Sequence, residues 1–259
     1  MTRPTTGCTR CQGLPALDFD FSMAFQPIID LNKGHVWGYE ALVRGMQGES
    51  AAQMLNQVDE HNRYRFDQAC RVKAIELASQ LKLEGILSIN FLPNAVYEPK
   101  ACLQTTLQAA QDYQFPVSRL QFEITEVERV RNHQHLRNII NTYHDYGMLT
   151  AIDDFGSGYA NLDLLANFHP DVIKLDMSLV RGIDQDKRRT LLVDHMRQIT
   201  HALGIQLLAE GIETEAEAIQ LARLGVDLVQ GFWFAKPGFE SLPKAPERHM
   251  KIAHQQALD

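Results

Sequence analysis

No stretch of the chain approaches the ~18 consecutive apolar residues of a membrane-spanning helix, although 45% of its 259 residues are apolar. The first residues, Met1 to Gln12, carry cysteine, threonine and arginine but no apolar segment of the kind a secretory signal needs. Runs of lysine or arginine are also missing. The net charge is −7 and the pI near 5.8, which argues against a nucleic-acid polymer or an anionic membrane surface as the main partner. A small anionic ligand stays compatible, because it needs only a local positive site. Cysteine is scarce: four residues, widely scattered, do not make a disulfide scaffold. Cys8-Thr9-Arg10-Cys11 is a lone CxxC, with no second pair or nearby histidine to complete the roughly four ligands of a zinc site. It reads as part of an irregular tail, with a metal or redox function as the alternative, and Cys102 receives no role. Cys70 shares a helical stripe with Phe66, Ala74, Leu77 and Leu81, which predicts a buried structural thiol. A soluble, cytoplasmic protein is the expectation these exclusions leave.

What is present is a regular rhythm. Met23–Leu31 and His35–Val43 read as two strands around the turn Asn32-Lys33-Gly34, a hairpin signal that makes the first two strands antiparallel. Helical patterns follow at Ser50–Val58 and Phe66–Leu81. From Ile86 onward, strands alternate with helices: strands at 86–91, 120–124, 149–152, 172–175, 205–209 and 227–229, with helical stretches between them. The helix over 186–203 places Leu192, Met196, Ile199 and Leu203 on one face. Alternation of this kind predicts a parallel sheet covered by helices. Eight strands in a chain of this length favour a closed (β/α)8 TIM-like barrel, with an antiparallel first strand as its irregularity. The domain division expected is a tail over 1–20 and one barrel over 21–259, closed by a weakly helical C-terminal tail.

Active sites of such barrels gather where the strands end, and the residues there are unusually uniform in chemistry. The second strand carries Glu40, with Arg44 four residues on; the third ends in Asn90; the fourth carries Glu123; the fifth ends in Asp153-Asp154. The sixth gives Lys174 and Asp176, the seventh Glu210, and the eighth Gln230. Asp153-Asp154-Phe155-Gly156-Ser157-Gly158 alone reads as a strand end and an Asp-rich turn. Adjacent strand residues point to opposite faces, so these two carboxylates converge only if the strand stops at them. Glu40 and Glu123 have apolar neighbours on both sides, and a carboxylate so placed is costly to bury without a partner or a metal. Five or more carboxylates and an amide at one mouth make a cation site. With no histidine or cysteine among them, the donor set suits Mg²⁺ or Mn²⁺ over zinc, and its size suggests two ions. Two such ions, with Arg44 as a phosphate fork and Lys174 beside the attacking water, indicate metal-assisted phosphoester hydrolysis.

These segments resemble those of a known family. Glu40-Ala41-Leu42-Val43-Arg44 is similar to the signature of the EAL domains, bacterial phosphodiesterases of the second messenger cyclic di-GMP. The likeness runs from about Met23 to Pro237 and includes Phe25-Gln26-Pro27-Ile28, Ile89-Asn90-Phe91, Glu123-Ile124-Thr125-Glu126, the Asp153-Asp154 stretch, Lys174-Leu175-Asp176, Ala209-Glu210-Gly211-Ile212-Glu213 and Gln230-Gly231-Phe232. The resemblance implies hydrolysis of cyclic di-GMP to linear 5′-pGpG with Mg²⁺ or Mn²⁺, and inhibition by Ca²⁺. It implies that Glu40, Asn90, Glu123 and Asp153 hold one ion, that Asp153 bridges to a second, and that Asp154 completes the second site. Lys174 would hold the nucleophilic water, and Glu210 would act as a general base or a metal ligand. Arg44 and the backbone at Leu42 would hold phosphate. Asp176, Glu213, Gln230, Gln26, Asp67 and Pro237 would contact guanine or ribose. Glu126 would prop the loop from Phe155 to Leu162, which in the family lies near a homodimer interface and has a regulatory role. The sensory domain that usually accompanies an EAL domain is missing from the sequence, which leaves a stand-alone protein, or input through a regulatory protein partner or the Cys8/Cys11 tail, as alternatives.

Two other functions remain to be separated from this one: a catalytically inactive EAL module that binds cyclic di-GMP and signals through protein contacts, and a barrel phosphoesterase for another substrate. Loss of metal ligands would mark the inactive module, and every matched ligand is intact.

Overall fold

The computed structural model describes residues 17–124, 133–157 and 162–258. Strands β1 (Phe21–Asp30) and β2 (His35–Gly45) form the expected antiparallel hairpin, closed where Gly34, at φ +64°, donates its N–H to the Asp30 carbonyl. Two helices follow, α1 (Ala51–Leu55) and α2 (Arg63–Gln80), the first opened by a reciprocal Ser50–Gln53 capping box. Strand and helix then alternate through β3 (Ile86–Phe91), α3 (Pro99–Asp112), β4 (Leu120–Ile124), α4 (His133–Asp145), β5 (Leu149–Phe155), α5 (Leu162–Asn167) and β6 (Val172–Leu175). The chain continues with α6 (Met177–Val180), α7 (Lys187–Ala202), β7 (Gln206–Ala209), α8 (Glu215–Arg223) and β8 (Leu228–Val229). A two-residue strand, β9 (Gly238–Phe239), and the C-terminal helix α9 (Glu247–Leu258) complete it.

Strands β2 to β8 pair in parallel in chain order, and β1 pairs antiparallel with both β8 and β2. That closes an eight-stranded barrel, with β9 attached outside β1. The α/β barrel with an antiparallel first strand is therefore as the sequence predicts. Tertiary burial holds its outer layer. Leu136, Ile139, Ile140 and Tyr143 of α4 are all buried against the sheet. At roughly 1.5–3 kcal/mol each, they outweigh a helix cap at about 1 kcal/mol. Leu17 and Phe19, ahead of β1, pack on the same core beside Phe66.

Inside the barrel the side chains change character with height. Ile28, Ala151, Val172, Leu208 and Leu228 form a small apolar cluster that plugs the lower half. One layer higher, two residues back along the antiparallel β1 and two residues on from the cluster in the parallel strands, the same inward face carries Gln26, Asp153, Lys174, Glu210 and Gln230, following the period of two. The fold thus supplies a dry floor under a polar mouth.

One helix departs from the usual plan. Leu192, Ile199 and Leu203, on the stripe read from the sequence, are exposed, while Val193 and Thr200 face the core. Met196, the fourth member of that stripe, packs against the core, so the stripe is turned to solvent only in part. Among the described residues, no helix is long and apolar enough to cross a membrane.

Candidate active site

The paired carboxylates sit on a β-bulge. Strand β5 pairs Ala151 with Val172 and Ile152 with Ile173, then Phe155 with Leu175, so Asp153 and Asp154 together stand opposite the single residue Lys174. Asp154 takes φ +53°, a left-handed conformation that aspartate tolerates better than most side chains. The strand therefore does not stop at the two carboxylates, as the sequence suggested; it bulges, and the extra residue brings both to one side. Gly156 follows at φ +103°, where an added Cβ would lie 2.5 Å from a Leu179 methyl group.

Lys174 is the centre of the site. Its ammonium, 1% exposed, lies 2.6 Å from Glu123, 2.7 Å from Glu210, 3.0 Å from Asp153 and 3.6 Å from Glu40. Glu40 also accepts from the Asn90 amide at 2.8 Å and from the Gln230 amide at 2.7 Å. Glu123 accepts from Ser88 at 2.6 Å. With all four carboxylates ionised, one ammonium among them would leave an excess of three negative charges, before Asp154 is counted.

The ionisation of the groups follows. Burial raises Glu123 well above the usual carboxylate range; Lys174 opposes this, and Glu40, Asp153 and Glu210 reinforce it. Burial also pushes Glu210 up to about 8, against the pull of Lys174 and with the push of Asp153 and Glu40. Asp154 rises to about 6 through burial and the neighbouring Asp153. Glu40 goes the other way: burial acts to raise it, but Lys174 and the Gln230 and Asn90 hydrogen bonds hold it below its ordinary value. Lys174 loses by burial and gains more from its carboxylates, so it stays firmly charged.

A cation fits this set. Asp153, Asp154 and Glu210 each offer an oxygen within 4.8 Å of the others. Two like charges ~4 Å apart at an effective dielectric of 20 repel by about 4 kcal/mol, so a divalent ion relieves more strain than one lysine does. The donors are all oxygen, as Mg²⁺ and Mn²⁺ prefer. Glu40, Asn90 and Glu123 reach the same centre through Lys174 and through one another.

Two cavities flank the carboxylates and share Glu40, Leu42 and Asp153 as their common wall. One, of about 280 Å³, is lined by Gln26, Asp176, Arg181, Glu213, Gln230 and Phe232 among others. The second, of about 390 Å³, lies between β2, β3 and α2, with Asp67 and Asn90 in its wall. Gln230 links Gln26, at 3.1 Å, to Glu40. Asp176 accepts the Ser178 N–H and caps α6, while Glu213 pairs with Arg181. Gly231 lets the chain after β8 approach closely, since a Cβ there would lie 2.1 Å from the Ile212 carbonyl.

Arg44 and Pro237 do not line either cavity. Arg44 is on the same strand face as Glu40, but its guanidinium donates to the Val43 carbonyl at 2.7 Å. Glu126, Cys8 and Cys11 lie outside the described residues, as does most of the loop after Gly156. Four participants were not singled out from the sequence: Arg181, Ser88, Gln121 and Arg71. Arg71 is fully buried, 2.9 Å from Asp67, donating to the Tyr143 hydroxyl at 2.8 Å and enclosed by Phe91, Phe122 and Tyr143. Ser88 and Gln121 could have been found two residues before Asn90 and Glu123, on the same inward period.

Comparison with known proteins gives a consistent result. The EAL domain family model matches residues 16–237. A standalone versatile EAL protein from Vibrio cholerae O395, solved in its c-di-GMP-bound form, is 52% identical and superposes with a TM-score of 0.88, covering 90% of this chain and 99% of that one. Klebsiella pneumoniae BlrP1, in a manganese/cy-diGMP complex, is 33% identical with a TM-score of 0.82, over 87% of this chain and 58% of that one. The cyclic di-GMP phosphodiesterase RocR of Pseudomonas aeruginosa is 29% identical over 243 residues, which is 89% of this chain and 59% of RocR. The chain spans less than two thirds of the length of such curated relatives. The family match over most of its length, a barrel closed by an antiparallel first strand and the carboxylates around Lys174 lead to one conclusion: the chain belongs to the EAL domain family.

Proposed function

We propose that this protein hydrolyses cyclic di-GMP to linear 5′-pGpG in the cytoplasm, using two Mg²⁺ or Mn²⁺ ions. The observation that carries the proposal is the bulge that sets Asp153 and Asp154 opposite Lys174, at the wall shared by two cavities of about 280 and 390 Å³. Glu40, Asn90, Glu123, Asp153, Asp154 and Glu210 would hold the ions. When bound, the ions supply Lewis acidity at the phosphodiester and acidify a water. Lys174 would donate a hydrogen bond to the attacking water and hold it in place. Glu210, which retains a proton at neutral pH while the carboxylates stand alone, would lose it when positive charge arrives and could then accept one from the water.

For recognition, Asp176, Glu213 and Asp67 present carboxylates suited to the N–H groups of guanine, and Gln26 and Gln230 add amides. The Leu42 backbone would meet phosphate, and Pro237 would border the base. Arg44 would have to release the Val43 carbonyl to reach a phosphate. Glu126 is assigned to supporting the loop after Asp154. Ca²⁺, which takes more ligands at longer distances, would hold substrate without turnover. The exposed stripe of α7 supports a homodimer. A regulatory protein partner is left open.

The test is to incubate the protein with cyclic di-GMP and Mn²⁺ and to resolve the products by liquid chromatography and mass spectrometry. Linear 5′-pGpG is the expected product. Binding without any product would sink the enzymatic reading in favour of an inactive signalling module. Efficient competition by unrelated linear diesters would instead point to another substrate.

A further inference from the structure

Two buried polar side chains lie directly beneath the carboxylates, and no step above uses them. Parallel pairing of β3 and β4 sets Ser88 beside Gln121 and, two residues on, Asn90 beside Glu123. Both pairs face the barrel interior, with Ser88 and Gln121 one layer nearer the apolar floor. Barrel interiors at such depth are commonly filled by branched apolar residues. Here a hydroxyl and an amide are fully buried, which is costly unless each finds a partner.

The two form a single directed chain. Gln121 Nε2 donates to Ser88 Oγ at 2.7 Å, and Ser88 Oγ donates to Glu123 Oε1 at 2.6 Å. With Glu123 ionised, as a metal ligand must be, the direction follows: the serine's one O–H donates to the carboxylate, and the serine oxygen then accepts from the amide. Among the described residues, Gln121 Oε1 has no hydrogen-bond partner. The amide is thus turned to serve Ser88 at its own expense. With Oε1 tied from below, the other oxygen of Glu123, Oε2, is the one that meets Lys174 at 2.6 Å.

We propose that Ser88 and Gln121 are positioning residues that lock Glu123 with Oε2 facing the cation site. The inference rests on Glu123 being a metal ligand, as argued above. Without the relay, the carboxylate is free to turn and to bind through either oxygen, and each ion must order it anew. Partners that orient metal ligands in this way typically change affinity by 10–100-fold.

The experiment is titration of the full chain with Mn²⁺ alone, without substrate, by calorimetry, comparing wild type with Ser88→Ala, Ser88→Cys, Gln121→Leu and Glu123→Gln. Ser88→Ala should weaken Mn²⁺ binding by roughly 10–100-fold. Ser88→Cys, which keeps a weak donor, should fall between that variant and wild type. Gln121→Leu should show a smaller loss, and the double variant Ser88→Ala/Gln121→Leu should be no worse than Ser88→Ala, because both act through one chain. If Ser88→Ala and Gln121→Leu bind Mn²⁺ like wild type while Glu123→Gln is weakened, the relay is only filler and the proposal is overturned. If wild type binds no Mn²⁺, the metal-site reading fails and the proposal fails with it. Thermal unfolding of the metal-free variants separates the cases further, since lower stability at unchanged Mn²⁺ affinity also counts against the proposal.

Discussion

A single side chain, Lys174, stands in for the cations that its neighbours are suited to hold. Its ammonium touches four carboxylates in a nearly dry interior. Removing one partner of a buried charge cluster typically costs 3–5 kcal/mol, because the remaining charges lose their compensation. Lys174→Met should therefore destabilise the metal-free protein by about that amount, and Mn²⁺ should recover most of it in a thermal-shift assay. Protonation offers a second check. Without metal, Asp154 titrates near 6 and Glu210 near 8, so protons compete with ions for the same oxygens. Mn²⁺ affinity should rise between pH 6 and 8, by up to about tenfold per unit for each proton displaced. Stability of the metal-free protein should run oppositely. The folded form keeps a proton on Glu210 that the unfolded chain has already released, so stability falls as pH rises toward 8. A flat calorimetric profile over this range would remove both expectations. The positions of Glu40, Asn90, Glu123, Lys174 and Glu210 were legible because strand alternation fixes which residue faces inward. The direction of the Arg44 guanidinium was not, because a long flexible side chain chooses among local acceptors that no periodicity encodes.

At the level of elements, the bulge in β5 does what the hydrophobic pattern could not announce. The apolar run ends at Ile152, so the sequence read as a strand terminus, yet pairing resumes at Phe155 with Leu175. A bulge costs little in composition and leaves only the Asp154 conformation as its trace. Gly156 supports it, at a φ that other residues rarely adopt. Gly156→Ala should destabilise the protein by about 1–3 kcal/mol and weaken Mn²⁺ binding, through displacement of Asp154; unaltered binding with lowered stability would separate the loop from the site. The helices were more legible than their orientation. The stripe of α7 was readable from spacing, but only the tertiary structure shows that Met196 packs inward while Leu192, Ile199 and Leu203 face outward, because an apolar stripe carries no label for which neighbour covers it.

Across the whole molecule, the closed barrel was legible from alternation and length, and its irregular closure from the turn Asn32-Lys33-Gly34. The two cavities were not, since one forms where β2 and β3 meet α1 and α2 and the other where the residues after β6, β7 and β8 come together, and neither meeting is written in local spacing. The exposed leucines of α7 bear on assembly. Ile199→Glu, at a position 39% exposed, should leave the fold intact and convert a dimer to a monomer in size-exclusion chromatography with light scattering. A wild-type protein that elutes as a monomer at micromolar concentration would count against this surface as an interface. The bulge also has a consequence for reuse of the scaffold. Deleting Asp154 alone would restore one-for-one pairing, leaving Asp153 opposite Lys174 with both cavity walls otherwise intact. The product should be a sensor, retaining fluorescent cyclic di-GMP with no hydrolysis, so that one deleted codon would separate reading a message from erasing it.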